Sequence, residues 1–334
     1  MIGASAVAAS PVVNREVARR FHNPVVLFAN GRGDYLMHLP IMRALTALFE
    51  GRLTLVTRPS VQDLFYHDLS FARVIEIDCE PGPDGPEFDF DRLSATLAGC
   101  DLFLSLNPWC SRSLELLLAS LSHIPTIGFW PQCSLRLPLD FSKHTVDLGF
   151  DVARCFSSML AVEAFAGVPR FAERHERLAR DLRASLPAGA RVAAVHGDTK
   201  IEKMWSADRF AELIRWLLGR DPHLYVFDVG LHRADGGRLA DHPRVISCSE
   251  LVLPAAFALI GQLDFFIGVD SCFLHAADLY RVPGVGLFGA TAAHEFGFRF
   301  GPHRHVTAAS MSAIQLSDVI AAIESLLGME VTLW

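Results

Sequence analysis

Lysine is almost missing from this chain. Of its 30 basic residues among 334, three are lysine (Lys143, Lys200 and Lys203), and two of those lie three positions apart. A surplus of positive charge is missing too: the net charge is −7, which excludes nucleic acid or an anionic bilayer as the main partner. No uncharged apolar run approaches the ~20 residues of a spanning helix. The nearest, Leu116–Trp130, is broken by Ser120, Ser122, His123 and Pro125, so an integral membrane protein is not expected. The opening MIGASAVAAS has neither a basic segment nor a Leu-rich core, which argues against a secretory signal. The seven cysteines are odd in number and none forms a C-x-x-C pair. They read as reduced thiols of a cytoplasmic protein, not as a zinc site or a disulfide framework. There is no G-x-x-x-x-G-K-[ST] loop, Gly31-x-Gly33 lacks a third glycine, and His294-Glu295-Phe296-Gly297-Phe298 is not H-E-x-x-H.

What is present alternates. Apolar, β-rich runs fall at Val25–Ala29, Leu53–Thr57, Val74–Asp78, Leu102–Leu106 and Thr126–Trp130. A second series falls at Val192–His196, Leu224–Val229, Val245–Cys248, Phe265–Val269 and Val285–Phe288. Helical patterns lie between, at Tyr35–Phe49, Ser111–Leu121, Ala207–Leu218, Pro254–Gln262 and Ser271–Tyr280. Continuous apolar strands separated by amphipathic helices indicate parallel sheets covered on both faces. Ten strands in two sets of five fit two doubly wound α/β domains facing a cleft, over residues 1–167 and 190–334. The charged helix of 168–189, framed by Pro/Gly signals, joins them. The closing helix, Leu316–Leu327, is a candidate to pack back on the N-terminal domain.

Ligands of open parallel sheets bind beyond the carboxyl ends of the strands, so the strand-to-helix loops are where chemistry belongs. In Asn30-Gly31-Arg32-Gly33-Asp34, Asp34 is either a helix cap or a general base aimed at a substrate hydroxyl. Its Arg-Gly-Asp tripeptide is read as coincidence, not as an adhesion motif. In His196-Gly197-Asp198-Thr199-Lys200-Ile201-Glu202-Lys203-Met204-Trp205, two lysines in a lysine-poor chain suit phosphate oxygens. Trp205 reads as an anchor for that loop. Gly268-Val269-Asp270-Ser271-Cys272-Phe273-Leu274-His275 runs from strand into helix, where free amides favour an anion. Ser271 adds a hydroxyl there and His275 lies one turn on; a capped helix with a core histidine is the alternative. Phe288-Gly289-Ala290-Thr291 is a weaker signal of the same kind. Asp89-Phe90-Asp91 imitates the D-x-D that some sugar transferases use for a metal, but its position reads as a helix cap.

Taken in order, Gly33-Asp34-x-x-x-x-x-Pro40-x-x-Arg43-x-Leu45, Lys203-x-Trp205, Val269-Asp270-Ser271-x-x-x-His275-x-Ala277 and Phe288-Gly289-x-Thr291 resemble the ADP-heptose:lipopolysaccharide heptosyltransferases of glycosyltransferase family 9. The resemblance spans roughly residues 24–325. It implies the GT-B architecture of two Rossmann-like domains, with the acceptor on the N-terminal one and a nucleotide-sugar donor, ADP-heptose, on the C-terminal one. By it, Asp34 matches the catalytic base, Lys203 the lysine on the donor phosphates, and Asp270, Ser271, His275 and Thr291 the donor-site elements. Lys200 is a further donor candidate, and Asp235 a candidate for the ribose hydroxyls. Cys272 replaces a glycine of the family pattern. The implied reaction is inverting sugar transfer needing no cofactor or metal, because lysine and helix dipole supply the positive charge.

The first 167 residues hold 13 basic and 18 acidic side chains and the remainder 17 and 19. An acidic acceptor half does not suit an anionic lipopolysaccharide core, so a small molecule or a protein side chain is the expected acceptor. A nucleotide-sugar 2-epimerase and a catalytically silent scaffold of the same fold are the alternatives. The positive mean hydropathy makes a homodimer possible.

Overall fold

The computed structural model describes residues 13–330. Strands β1 (Pro24–Leu27), β2 (Thr54–Thr57), β3 (Arg73–Glu76), β4 (Leu102–Ser105), β5 (Thr126–Gly128) and β6 (Leu135–Arg136) form one sheet, in the order β3-β2-β1-β4-β5-β6. Strands β7 (Arg191–His196), β8 (Leu224–Asp228), β9 (Val245–Ser247), β10 (Phe265–Val269), β11 (Gly284–Phe288) and β12 (His303–Thr307) form the second, ordered β12-β11-β10-β7-β8-β9. Every pairing is parallel; Val26 stands opposite both Leu55 and Leu104, and Ile267 opposite both Val195 and Val285. Relative to its own chain order, each sheet has the doubly wound arrangement 3-2-1-4-5-6, whose crevice opens between its first and fourth strands.

The central strands are buried along their whole length, as in Val25, Val26 and Leu27 of β1 and Phe265 through Val269 of β10. Helices on both faces cause this. In the N-terminal half these are α1 (Arg32–Met37), α2 (Leu39–Phe49), α3 (Val61–Phe65), α4 (Phe90–Thr96), α5 (Arg112–Ser120) and α6 (Thr145–Arg154). After them come α7 (Glu173–Ala184), α8 (Ala207–Arg220), α9 (Leu253–Ile260), α10 (Cys272–Leu279), α11 (Ala293–Phe296) and α12 (Leu316–Glu330). Asp89 does cap a helix: its carboxylate accepts from the Arg92 amide at 2.9 Å at the start of α4.

Three readings are corrected. Each sheet has six strands, not five, because β6 and β12 were not anticipated. The single helix over Tyr35–Phe49 is two, broken at His38 (φ −90°, ψ 1°). Pro40, whose missing N–H is tolerated only in a first turn, opens the second of them. The last helix stays with the C-terminal half: α12 packs on β11, β12 and α8, and buries Val319, Ile323 and Leu326 in their core.

The two halves are not merely tethered. One contiguous apolar core contains Phe28, Leu36 and Phe65 from the first and Phe227, Phe257 and Phe273 from the second. The Phe65 and Phe257 rings lie 5.8 Å apart, and α1 packs directly on α10. Arg299 joins Asp147 at 2.9 Å and Glu163 at 2.7 Å across the border, and His144 Nε2 lies 2.9 Å from the Gly297 carbonyl. All seven cysteines are free thiols. Among the described residues, no helix is long and apolar enough to cross a membrane.

Candidate active site

The loops leaving β1, β7 and β10 meet at one cavity of about 670 Å³ between the sheets. Asp34, Lys200, Lys203, Asp270, Ser271, Cys272 and His275 all line it. Local bonds set the β1 loop. The Ala29 amide donates to Asn107 Oδ1 at 3.0 Å and the Asn30 amide to Tyr35 Oη at 3.2 Å. Gly31 then opens α1, and its amide donates to Asp34 Oδ2 at 3.0 Å. Asp34 therefore does serve as a cap-box carboxylate, yet it faces the cavity as well.

Its acidity fits the second role. Burial pushes the Asp34 carboxyl up from 3.8 to about 6. The Gly31 amide opposes this, the neighbouring Asp270 charge adds to it, and Lys203 and Lys200 pull it back down. Those charged partners all belong to the C-terminal half, so the Asp34 carboxyl and the lysines share one field across the cleft. Contact holds them together. A Cβ at Gly33 would lie 3.1 Å from the His275 ring and 3.6 Å from the Cys272 amide, so a side chain there would force the ring back by a few tenths of an ångström, and glycine suits the close approach of α1 to α10.

On the opposite side, Asp270 is 4% exposed and organises its neighbours. Lys203 Nζ donates to Asp270 Oδ2 at 2.6 Å and Thr291 Oγ1 donates to the same oxygen at 2.7 Å; His275 Nε2 is 3.6 Å from Oδ1. A buried carboxylate next to a diphosphate would repel it; here it holds the lysine and threonine in place. Thr291 thus reaches the site through Asp270. Burial lowers the His275 pKa to about 4, which leaves the ring neutral. The Ser271 hydroxyl, at the start of α10, is buried without a partner and lines the cavity. Burial raises the Cys272 thiol to about 12, which makes it a poor nucleophile at neutral pH. Trp205 is an anchor: its ring meets Phe210 of α8 edge-on at 5.0 Å, and Nε1 donates to the Ile314 carbonyl at 3.1 Å.

Asp235 is not brought to the cleft. It is fully buried, and both of its oxygens are taken. Arg233 donates to them at 3.0 and 3.1 Å, and the Gly237 and Leu239 amides each donate at 2.8 Å. No oxygen remains for a ribose hydroxyl, so the ribose role is withdrawn.

Three lining residues escaped the sequence reading. Arg32, set aside with its tripeptide, is exposed at the cavity with no ion-pair partner among the described residues. It opens α1 two residues before Asp34, and its charge reaches the Cys272 thiol of α10 across the cleft. Glu295 faces the cavity from α11, its pKa raised by burial. His38 lines the floor four residues after Asp34, its ring stacked 4.1 Å from Phe28. Neither the Arg-Gly-Asp tripeptide nor the failed H-E-x-x-H pattern gave Arg32 or Glu295 a role, and His38 lay in no motif; the meeting of the loops brings them together.

Residues 123–318, well over half of the chain, match the family model described as glycosyltransferase family 9 (heptosyltransferase). The chain belongs to this family. Solved structures agree on the fold. A family 9 glycosyltransferase from Veillonella parvula has a TM-score of 0.73 at 18% identity, covering 92% of this chain and 97% of that one. E. coli ADP-heptose lipopolysaccharide heptosyltransferase II gives 0.67 at 17%, covering 92% and 99%. E. coli heptosyltransferase WaaC, solved with ADP, gives 0.64 at 15%, covering 91% and 99%. No curated protein matches the chain in sequence. The two parallel sheets facing a cleft are thus those of a family 9 glycosyltransferase.

Proposed function

We propose that this glycosyltransferase transfers a sugar from a nucleotide diphosphate to an acceptor hydroxyl with inversion, with ADP-heptose as donor. The observation that carries the reading is the shared cavity in which the Asp34 carboxylate, tuned to about 6, faces Arg32, Lys200, Lys203 and the first amides of α10. A base with that pKa is ionised at neutral pH and still accepts a proton well. Asp34 would take the hydroxyl proton as the oxygen attacks the anomeric carbon. The C–O bond to the diphosphate breaks as the new one forms, and the negative charge left on the diphosphate falls among those cations and amides. The donor assignment is supported by the ADP and heptose named for the family members of the same fold. The acidic N-terminal half supports an acceptor other than lipopolysaccharide core, a small molecule or protein side chain.

The test is to incubate the protein with ADP-heptose and an acceptor panel and to follow ADP release and anomeric configuration by NMR. Release of ADP with inversion is expected. Retention, an epimerised donor in the absence of acceptor, or donor binding with no turnover would each overturn the reading.

A further inference from the structure

The acceptor half of the cavity has a composition unlike the donor half. On the donor side it meets Asp198, Lys200, Lys203, Asp270 and Glu295. Of the N-terminal residues that line it, only Arg32 and Asp34 carry a charge, and both lie at the start of α1, away from the rest of the wall in sequence. The wall is built from Met37, Leu106, Pro108, Phe129, Phe141 and Leu148, which lie in α1, after β4 and β5, on the segment before α6 and in α6 itself. Phe141 is 51% exposed, an aromatic ring left open at the mouth of the cleft.

His38, on the floor beside Asp34, adds a lone pair. His38 Nδ1 lies 2.8 Å from the Asp34 backbone carbonyl. A carbonyl only accepts, so Nδ1 carries the proton. Burial lowers the His38 pKa to about 4 and keeps the ring neutral. Nε2 is then an acceptor, and it has no hydrogen-bond partner among the described residues. Asp34 and His38 Nε2 together receive hydroxyl protons and repel anionic oxygens. Beyond Arg32 at the start of α1, this wall has no cation to offset the desolvation of a phosphorylated or carboxylated body lying across it.

Resting on the transferase reading, we infer that the acceptor is an uncharged small molecule: a hydroxyl group carried on an apolar or aromatic body that packs against Phe141 and the aliphatic wall. The reacting hydroxyl points down to Asp34, a neighbouring hydroxyl of the same molecule to His38 Nε2, and the body lies across Leu106, Pro108 and Phe129 toward the mouth.

Calorimetry on the full chain saturated with ADP tests this, with 4-nitrophenyl β-D-glucoside, glucose and glucose 6-phosphate as probes. The aryl glycoside should bind about tenfold more tightly than glucose, and glucose 6-phosphate no better than glucose. Phe141→Ala, at an exposed position that folding tolerates, should remove most of the aryl advantage without changing ADP affinity. Phe141→Arg should shift preference toward glucose 6-phosphate. Tighter binding of the phosphosugar to the native chain, no preference among the three, or capture of a hydroxyl-bearing peptide in place of the glycoside would overturn the inference. Failure to bind ADP at all would instead overturn the transferase reading beneath it.

Discussion

The two halves of the molecule share one strand order and differ in what their loops present. At the crevice of the first sheet the lining is aliphatic and aromatic around one carboxylate; at the crevice of the second it is a mesh of charges centred on Asp270. The same scaffold therefore makes two different half-sites. What separates them is a handful of residues at strand ends: Asp34 after β1, Lys200 and Lys203 after β7, Asp270 and Ser271 after β10. Backbone topology supplies the location, and loop side chains supply the chemistry.

The comparison breaks most sharply at Asp34. Asp34→Ala should lower kcat about 10²–10⁴-fold with a much smaller change in ADP affinity, measured by calorimetry, because the carboxylate meets Lys200, Lys203 and Asp270 only through the field they share. Lys203→Ala should do the reverse, weakening ADP by about 10–100-fold. Part of that loss comes from Asp270, left buried without its cation. Arg32→Ala, removing an exposed cation, should weaken ADP by only about threefold, an effect that shrinks as salt is added. If Lys203→Ala left ADP binding intact, the assignment of the two halves would be wrong.

Acidity sharpens the same contrast. With Asp34 near 6, kcat/KM should fall as pH drops through about 6, and a limb near 4 would remove the base assignment. The folded state holds the Asp34 proton more tightly than the unfolded chain does. The protonated form thus contributes stability that is full below about 3.8 and lost as pH rises through about 6. Asp34→Asn mimics that form and can still accept from the Gly31 amide. It should raise stability at pH 7.5 by no more than about 3 kcal/mol, visible as a rise of a few degrees in Tm that disappears near pH 4.

Much of this was legible in the chain itself. Buried central strands announce themselves as unbroken apolar runs, and all ten anticipated strands appear within a residue or two of their expected ends. β6 and β12 were illegible for the converse reason: Leu135–Arg136 is short and exposed, and His303–Thr307 is mostly polar because it lies at an edge. The scarcity of lysine pointed to Lys200 and Lys203, and strand-to-helix junctions to Asp34 and Ser271. His38 and Glu295 gave no signal, since a residue's facing a cavity depends on neighbours distant in sequence. Asp235 misled because its type suited a ribose while its local loop, with Arg233 and two amides, had already used every oxygen.

The approach of Gly33 to His275, inside a core common to both sheets, has a consequence for anyone recombining such enzymes. Under the proposed mechanism, the spacing between Asp34 and the cations it faces follows from how α1 packs on α10. Exchanging one half for that of a relative would mismatch a helix seam as well as a binding preference, so a working chimera must carry α1 together with its α10.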